Sequence, residues 1–320
     1  MITARHQTST AATQRKGVTF LDYIERSIKE LTLSRKFGTA RNYTKARNSF
    51  RTFLDGGDIS LRALDEATIQ EYDDWLRKRG IVRNTVSFYM RILRSVYNKA
   101  VKDRLARQAS PFSNVYTGID KTRKKALNER SIGRLLKLDL KGFPGLSLSR
   151  DLFIFSFFTR GMSFVDIAFL RKRDINGKYI SYHRQKTGHQ LTILMEPCIA
   201  AIIKRYAEKT KGSPYIFPIL SSSDKQTAYR QYQTALGYHN RKLKTLAELA
   251  GLNIPLSSYC ARHSWATVAR NHSIPVSVIS EALGHTSEKM TLIYLDSLET
   301  SVIDKANHQV LESVLKTVSL

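Results

Sequence analysis

Residues 257–297 read SSYCARHSWATVARNHSIPVSVISEALGHTSEKMTLIYLDS, and they carry the pattern on which the rest of the interpretation depends. Arg262 and His263 are neighbours on a predicted helix. His285 follows a Leu-Gly pair at a predicted helix end, where glycine lets the chain turn sharply, and Tyr294 comes shortly after it. Alone, each residue says little, because most tyrosines pack and Gly-His pairs are common in turns. Their order and spacing together form a specific pattern.

The stretch ARHSWATVA…LGHTSEKMTLIYLD resembles the C-terminal signature of the tyrosine recombinases, also called the phage integrase family. That family has an Arg-His helix, then Leu-Gly-His, then a tyrosine nucleophile. The resemblance continues backwards through KTG at 186–188, TRGMSFVDIAFLRKRDI at 159–175 and the helical N-terminal part, and covers about residues 15–300. It implies a mainly α fold, with a helical SAM-like core-binding domain and an α+β catalytic domain that contains a small antiparallel sheet or hairpin.

The resemblance implies a reaction that needs no metal, ATP or other cofactor, in which Tyr294 attacks a DNA phosphate and forms a 3′-phosphotyrosine bond. A phenol with a pKa near 10 is only about 0.1% ionised at pH 7, so the site must supply positive charge and a proton acceptor. Arg262 suits bidentate binding of two phosphate oxygens. His285 can donate a hydrogen bond to the same phosphate. Lys186, at a predicted hairpin tip, matches the family's lysine, which protonates the leaving 5′ oxygen.

The general base departs from the family pattern. Most members have a histidine three residues before the second arginine, and here Tyr259 stands at that position. Tyr259 either replaces the histidine or only hydrogen-bonds the phosphate. His263, which follows Arg262 directly, is either the base or a packing residue.

The first arginine of the family pattern is also missing. When Asp166 is aligned with the acid that follows this arginine, Ser163 occupies the arginine's place. Arg160 lies one helical turn earlier and shares a face with Ser163 if the helix continues. We expect Arg160 to reach the phosphate, with Ser163 as a further phosphate contact; the alternative is a buried salt bridge between Arg160 and Asp166 or another acid. RGMS is typical of a branch on bacterial mobile elements with Ser in place of this arginine.

The charge of the chain indicates a polyanionic partner. Its 320 residues contain 52 Lys+Arg against 27 Asp+Glu, a formal net charge of +25 shared by both halves, which favours nucleic acid. Cys198 and Cys260 form no CxxC pair, which excludes a disulfide framework and a cysteine-rich metal site and fits a reducing cytoplasm. The longest apolar run, LFIFSFF at 152–158, is too short to span a bilayer, and the N-terminus has no apolar signal region.

We predict a disordered leader at 1–16, a helical core-type DNA-binding domain at 17–116, a linker at 117–125 and a catalytic domain at 126–320. Apolar residues at helical spacing predict four helices in the first domain, with Thr39, Asp65 and Asn84 as N-cap candidates. In the catalytic domain Asn128 is an N-cap candidate, a buried helix and turn occupy 151–170, and β-forming residues around KTG predict a hairpin. Further helices are expected at 197–209, roughly 224–250, 259–272, 275–283 and 287–296, followed by a final amphipathic helix.

These observations predict a site-specific DNA recombinase of the integrase or invertase type, acting on specific double-stranded sites in the cytoplasm, with the nucleoid. By resemblance, the C-terminal helix docks on a neighbouring subunit in a homotetrameric synaptic complex; the alternative is packing within its own subunit. Accessory DNA-bending proteins are candidate further partners. Two other classes stay open: a DNA-binding accessory protein with an impaired site, and a type IB topoisomerase. The active site alone does not distinguish integration, excision, inversion and resolution.

Overall fold

The computed structural model describes residues 18–120, 126–285, 287–292, 295 and 300–318. The chain divides into two compact units, residues 1–122 and residues 123–320, each with its own hydrophobic core. The predicted leader at 1–16 and positions 121–125 of the predicted linker lie outside the described residues. In the part of the chain that the structure describes, no helix is long and apolar enough to cross a membrane.

The first unit is helical, as the sequence predicts. Its described residues form α1 (Phe20–Leu33), α2 (Phe37–Phe53), α3 (Glu66–Lys78) and α4 (Arg83–Lys102). The apolar stripes of these helices meet around Phe50, whose ring contacts Phe20 and Tyr72 edge to face, with centroids 5.7 and 4.9 Å apart. All three side chains are fully buried. Edge-to-face packing is a favoured aromatic geometry, so this cluster fixes how α1, α2 and α3 cross.

Only one of the three N-cap predictions in this unit is confirmed. Asp65 caps α3, accepting a 2.9 Å hydrogen bond from the Thr68 N–H. Thr39 does not cap α2, because Arg35 adopts a left-handed conformation (φ 58°) and turns the chain into a helix that begins at Phe37. Asn84 does not cap α4 either. It already lies inside α4, where its amide donates to the Asp120 carbonyl (3.1 Å) and accepts from the Asp120 N–H (2.8 Å).

The second unit combines helices with one small sheet. Its described residues form α5 (Glu129–Leu136), α6 (Pro144–Phe158), α7 (Phe164–Phe169), β1 (Ile175–Asn176), β2 (Tyr179–His183), β3 (Gln190–Leu194), α8 (Pro197–Tyr206), α9 (Lys225–Leu249), α10 (Cys260–Asn271), α11 (Val276–Ala282), α12 (Glu288–Leu292) and α13 (Thr300–Val318), with short 3₁₀ helices at Lys172–Asp174 and Glu208–Thr210. Asn128 caps α5 as predicted, since its side chain accepts from the Ser131 N–H at 3.0 Å.

The predicted hairpin around KTG is formed by β2 and β3. The sheet is antiparallel with strand order β1-β2-β3, and Ile180 pairs with Ile193, which buries both side chains in the core. The chain reverses between the strands over residues 184–189, where Gly188 has a left-handed φ of 70° that favours glycine. The hairpin therefore presents its turn, including Lys186, at one end of the sheet.

Helix α6 is the central element of the second unit. Its sequence is apolar on nearly every side, the pattern of a helix buried all round, and it packs against α8, α9 and α10. Phe155 is 0% exposed, and the centroid of its ring lies 4.8 Å from that of Phe217. The helix ends at Phe158 and a short turn leads into α7, which is the buried helix and turn predicted for 151–170. The mainly α fold with a small antiparallel sheet is confirmed.

Candidate active site

A buried arginine-histidine pair forms the centre of the candidate site. Arg262, on α10, is only 2% exposed. Its Nη2 donates to the Leu283 carbonyl and lies 3.1 Å from His285 Nε2, and its Nη1 donates to the Gly161 carbonyl at 2.9 Å. His285 is placed here because Gly284 (φ 63°) turns the chain sharply after α11. These contacts orient the guanidinium.

The protonation state of His285 follows from its two neighbours. An arginine can only donate, so His285 Nε2 accepts from Arg262, and the ring proton lies on Nδ1 and is donated to Thr291 Oγ1 at 2.8 Å. Burial lowers the pKa of His285 to about 4, with further lowering by the positive charges of Arg262, Arg184 and Lys186. The imidazole is therefore neutral at pH 7, and the same charges show that the predicted Arg262, His285 and Lys186 lie in one neighbourhood.

Arg184 belongs to this cluster, although sequence reasoning did not select it. Its Nη1 donates to the Gly284 carbonyl at 2.8 Å, directly beside His285. Its Nε is buried and has no hydrogen-bond partner among the residues that the structure describes. Lys186, two residues further along the same turn, is exposed. No local signal marks Arg184, because its contact with Gly284 joins positions far apart in the sequence.

The helical turn that was predicted to join Arg160 to Ser163 is not formed. Helix α6 ends at Phe158, and Arg160 adopts a left-handed φ of 57°. The Gly161 N–H then donates to the Ser156 carbonyl at 2.8 Å, which closes the helix in a Schellman arrangement. Glycine is the usual residue at the position of Arg160, because a left-handed backbone costs other residues about 1–2 kcal/mol. An arginine is therefore kept here in spite of backbone strain.

The side chain of Arg160 still lies close to the cluster. Its Nη1 is 3.5 Å from the Thr192 carbonyl on β3, at the limit of a hydrogen bond. Burial and the charge of Asp166 raise the pKa of Tyr182 above its ordinary value, and the positive charges of Arg262, Arg184 and Arg160 act in the opposite direction. The charges of the three arginines thus act on one buried phenol on β2.

Ser163 and Asp166 form a structural link to the hairpin. Ser163 precedes α7, and its hydroxyl donates to Asp166 Oδ2 at 2.6 Å. Asp166, 3% exposed, also accepts at Oδ1 from the Gln185 N–H at 2.7 Å. Within the described residues, Asp166 therefore contacts Ser163 and Gln185, and the alternative salt bridge between Asp166 and Arg160 is not formed. This link connects α7 to the turn that carries Arg184 and Lys186.

Gly161 allows the turn after α6 to approach α10 closely. A Cβ atom on Gly161 would lie 2.7 Å from Arg262 Cα, closer than real Cβ contacts. The residue also has a φ of 73°, which favours glycine. Only glycine satisfies both conditions, so the RG pair of the sequence places a backbone carbonyl against the guanidinium of Arg262.

Tyr259 and His263 lie at the start of α10. Tyr259 is 44% exposed, whereas His263 is only 7% exposed and its ring meets that of Tyr259 edge to face, with centroids 5.1 Å apart. The His263 N–H donates to the Tyr259 carbonyl at 3.4 Å. Tyr259 thus presents part of its ring to solvent one turn before Arg262, and His263 packs behind it.

Tyr294 lies outside the described residues. Its neighbour Leu295 is 8% exposed and packs with Ala266 of α10, Ile279 of α11 and Leu283. Across the ranges that the structure describes, no group of three or more His, Cys, Asp or Glu side chains is arranged to hold a metal ion.

Comparison with known proteins agrees with this architecture. The family model described as the Phage integrase SAM-like domain matches residues 19–115, and that of the Phage integrase family matches residues 127–300. Tyrosine recombinase XerD of Pseudomonas aeruginosa is 22% identical over 265 residues, which cover 80% of this chain and 85% of XerD. A lambda integrase dimer bound to a COC′ core site gives a TM-score of 0.66 at 17% identity, over 88% of this chain and 99% of the integrase chain.

The fold is thus that of an integrase, a helical unit followed by a unit with a central buried helix and a small sheet. Since the family model spans more than half of its residues, the chain belongs to the phage integrase family, the tyrosine recombinases. It is a site-specific DNA recombinase, an enzyme that breaks and rejoins DNA strands.

Proposed function

We propose that this recombinase cuts DNA by attack of Tyr294 on the scissile phosphate, which Arg262 and His285 bind. The buried Arg262–His285 pair, set among further positive charges, is the observation that carries the proposal. The attack forms a bond between Tyr294 Oη and phosphorus and breaks the bond from phosphorus to the 5′ oxygen. The resulting 5′ hydroxyl of one strand then attacks the 3′-phosphotyrosine of another, which rejoins DNA and releases Tyr294 without consuming ATP.

Arg262 stabilises the charge that develops on the phosphate oxygens. Its guanidinium is held by the Gly161 and Leu283 carbonyls, so it does not have to reorganise when the transition state forms. Donors that are oriented in advance in this way contribute on the order of 10²–10³-fold each to the rate. Removing Arg262 should therefore prevent cleavage even where DNA still binds.

The protons move through His285 and Lys186. When the phosphate binds, it replaces His285 as the acceptor of the Arg262 Nη2 hydrogen bond, which frees His285 Nε2 to accept the Tyr294 proton. The negative phosphate favours the charged imidazole, which then donates from Nε2 to a phosphate oxygen while Nδ1 keeps its hydrogen bond to Thr291. Lys186, on a turn held by the link between Gln185 and Asp166, gives its proton to the leaving 5′ oxygen. We assign the partly exposed Tyr259 to a hydrogen bond with the phosphate, and the buried His263 to packing.

Arg184 and Arg160 together supply the charge that the family's first arginine provides elsewhere. The buried, unpartnered Nε of Arg184, within the described residues, is available to an anion that enters beside His285. The Arg160 Nη1, 3.5 Å from the Thr192 carbonyl on the same hairpin that carries Arg184, supports the assignment of its charge to this anion. We assign Ser163 to the positioning of Asp166, and the RGMS pattern to the mobile-element branch with Ser at this place.

DNA with specific recombination sites is the proposed partner. Lambda integrase, which shares the fold at a TM-score of 0.66, is described as a tetramer bound to a Holliday junction, and we propose the same state here. The apolar side chains of Val310, Leu311, Val314 and Leu315 on α13 are exposed and suit docking on a neighbouring subunit. We place the protein with the nucleoid in the cytoplasm, with DNA-bending proteins as accessory partners.

Covalent trapping tests the nucleophile. On a nicked substrate that loses its 5′ fragment after cleavage, the wild type should accumulate a protein–DNA adduct, whereas Tyr294→Phe should bind equally well and form none. An adduct in the Phe variant would refute the assignment. Absence of any adduct with the wild type on its own site would favour a DNA-binding accessory protein. Relaxation of supercoiled plasmid without strand exchange would favour a topoisomerase.

A further inference from the structure

A second cluster of charge lies away from the candidate active site. Between the N-terminal end of α6 and the C-terminal end of α8, the second unit has an open cleft of about 430 Å³. That volume falls in the range of small-molecule sites. Its charged and polar walls include Lys141, Arg150, Asp151, Arg205, Tyr206 and Lys209. Four cationic side chains thus share the cleft with one carboxylate.

Asp151 organises this cleft. It is 3% exposed, and its carboxylate accepts from Arg150 Nε at 3.0 Å, from Arg205 Nη1 at 3.1 and 3.0 Å, and from the Tyr206 hydroxyl at 2.9 Å. Burial and the adjacent Asp151 raise the pKa of Tyr206, so its hydroxyl stays protonated and donates. Arg150 also donates to the Leu138 carbonyl. Asp151 and Arg150 therefore neutralise each other within the wall.

The four cations exceed the single carboxylate by three charges, because Arg150 and Arg205 share Asp151. Arg205 lines the cleft, is 55% exposed and contacts Asp151 through Nη1, which orients its guanidinium. Lys209 Nζ lies 5.9 Å from the centroid of the Tyr206 ring. Within the described residues, no carboxylate forms an ion pair with Lys141 or Lys209. Three like charges held around one cleft repel each other, and a bound anion removes that cost.

The cleft is distinct from the candidate active site. It lies beside Pro144 at the start of α6, whereas the turn of Arg160 and Gly161 follows the end of the helix. At 1.5 Å per residue, the length of α6 separates the two by roughly 20 Å. One phosphate cannot contact both sets of residues.

We propose that this cleft binds a phosphate-bearing anion through Arg205, Lys141 and Lys209. The planar guanidinium of Arg205 matches two phosphate oxygens, and the two lysines add flexible positive charges. Asp151 orients Arg205 and does not touch the ligand. The phosphate comes either from a free polyphosphate or nucleotide or from the backbone of duplex DNA. The recognition chemistry is the same for both.

Lysine reactivity tests the proposal on the full chain. Acetylation of each lysine is followed by mass spectrometry at constant ionic strength, without addition, with inorganic pyrophosphate, or with a short duplex. Lys141 and Lys209 should be protected, whereas Lys178 and Lys225, exposed elsewhere in the same unit, should react unchanged with pyrophosphate. Protection by pyrophosphate alone identifies a free anion as the ligand, and protection by the duplex identifies the DNA backbone.

A variant distinguishes an anion-binding site with ordered side chains from a surface that is merely basic. Arg205→Ala should raise the concentration of the protecting anion needed for half-protection of Lys141 and Lys209 by about tenfold or more. Arg173→Ala, which removes an exposed arginine elsewhere in the unit, should leave it unchanged. No protection by either probe, or equal half-protection in wild type and Arg205→Ala, overturns the proposal. At saturating DNA the rate of cleavage by Tyr294 should be the same in Arg205→Ala as in the wild type, because the cleft lies away from the candidate active site, so failure here does not bear on the proposed reaction.

Discussion

Replacing Arg160 by glycine is expected to stabilise the protein and at the same time inactivate it. The left-handed backbone at Arg160 (φ 57°) costs a non-glycine residue about 1–2 kcal/mol. Glycine removes that cost but loses about 0.5–1 kcal/mol more conformational entropy on folding. The net gain in the free energy of unfolding is therefore about 0–1.5 kcal/mol, which raises the Tm of a unit of this size by up to roughly 6 °C.

The rate of DNA cleavage by Arg160→Gly should fall, although the stability of the variant rises. If Arg160 contacts the scissile phosphate, its loss lowers the single-turnover rate of adduct formation at saturating DNA by roughly 10³-fold. Ser273→Gly is the matched control, because Ser273 has a φ of 59° at the end of α10 in the same unit. It should gain similar stability and cleave normally. An Arg160→Gly variant that cleaves at the wild-type rate refutes the phosphate contact, and one that is less stable refutes the strain.

Three further changes test other parts of the site and core. Gly161→Ala would place Cβ 2.7 Å from the backbone of Arg262 and should lower the free energy of unfolding, measured in urea, by roughly 2–5 kcal/mol. In the control Gly142→Ala (φ 80°), no atom lies within 4 Å of the new Cβ, so the loss should be about 1 kcal/mol. Equal losses in the two variants would contradict the close contact. Burial lowers the pKa of His239 to about 3, so the unfolded chain binds its proton more tightly. The contribution of neutral His239 to the free energy of unfolding should be fully present above pH 6.5 and should decrease from there towards pH 3, by about 2 kcal/mol at pH 5. A His239→Gln variant whose free energy of unfolding falls with pH as steeply as that of the wild type would refute this. Arg184→Ala should raise the pKa of His285 from about 4 in an NMR titration and slow cleavage about 10²-fold; an unchanged pKa would place Arg184 outside the site.

The elements that the sequence predicts correctly are those encoded by neighbouring residues. Asp65 and Asn128 cap helices because each side chain reaches an N–H three residues ahead. The KTG turn and its β-forming flanks likewise specify a hairpin locally. Thr39 and Asn84 have the right chemistry for caps but not the right partners. The cap position of α4 is taken by Val82, because Asn84 is bound to Asp120, and that distant contact is invisible in a helix-start pattern.

The candidate site shows the same difference between residues that lie in a local motif and residues placed by distant contacts. Arg262 and His285 are recognisable because each belongs to a motif of adjacent residues, and the structure brings them within hydrogen-bond distance. Arg184 has no such motif. It contacts Gly284 only because the hairpin folds against the turn after α11. The continuous helix that was expected to align Arg160 with Ser163 is broken at Phe158, so that part of the prediction was wrong, and the catalytic role of Arg160 stays a prediction.

Ser163 and Arg184 are linked through the turn between β2 and β3. Ser163 holds Asp166 through its hydroxyl, and Asp166 holds the Gln185 N–H. An arginine at 163 would have no hydroxyl with which to cap α7 or to orient that carboxylate, and the turn that carries Arg184 would lose its anchor. The serine at 163 supports a turn that brings the Arg184 cation beside His285. Under the proposed function, Arg184 would then supply from the hairpin the charge that the family's first arginine supplies elsewhere. A Ser163→Arg variant should therefore form the covalent adduct more slowly than the wild type under single-turnover conditions, and an equal or higher rate would contradict this role of the hydroxyl.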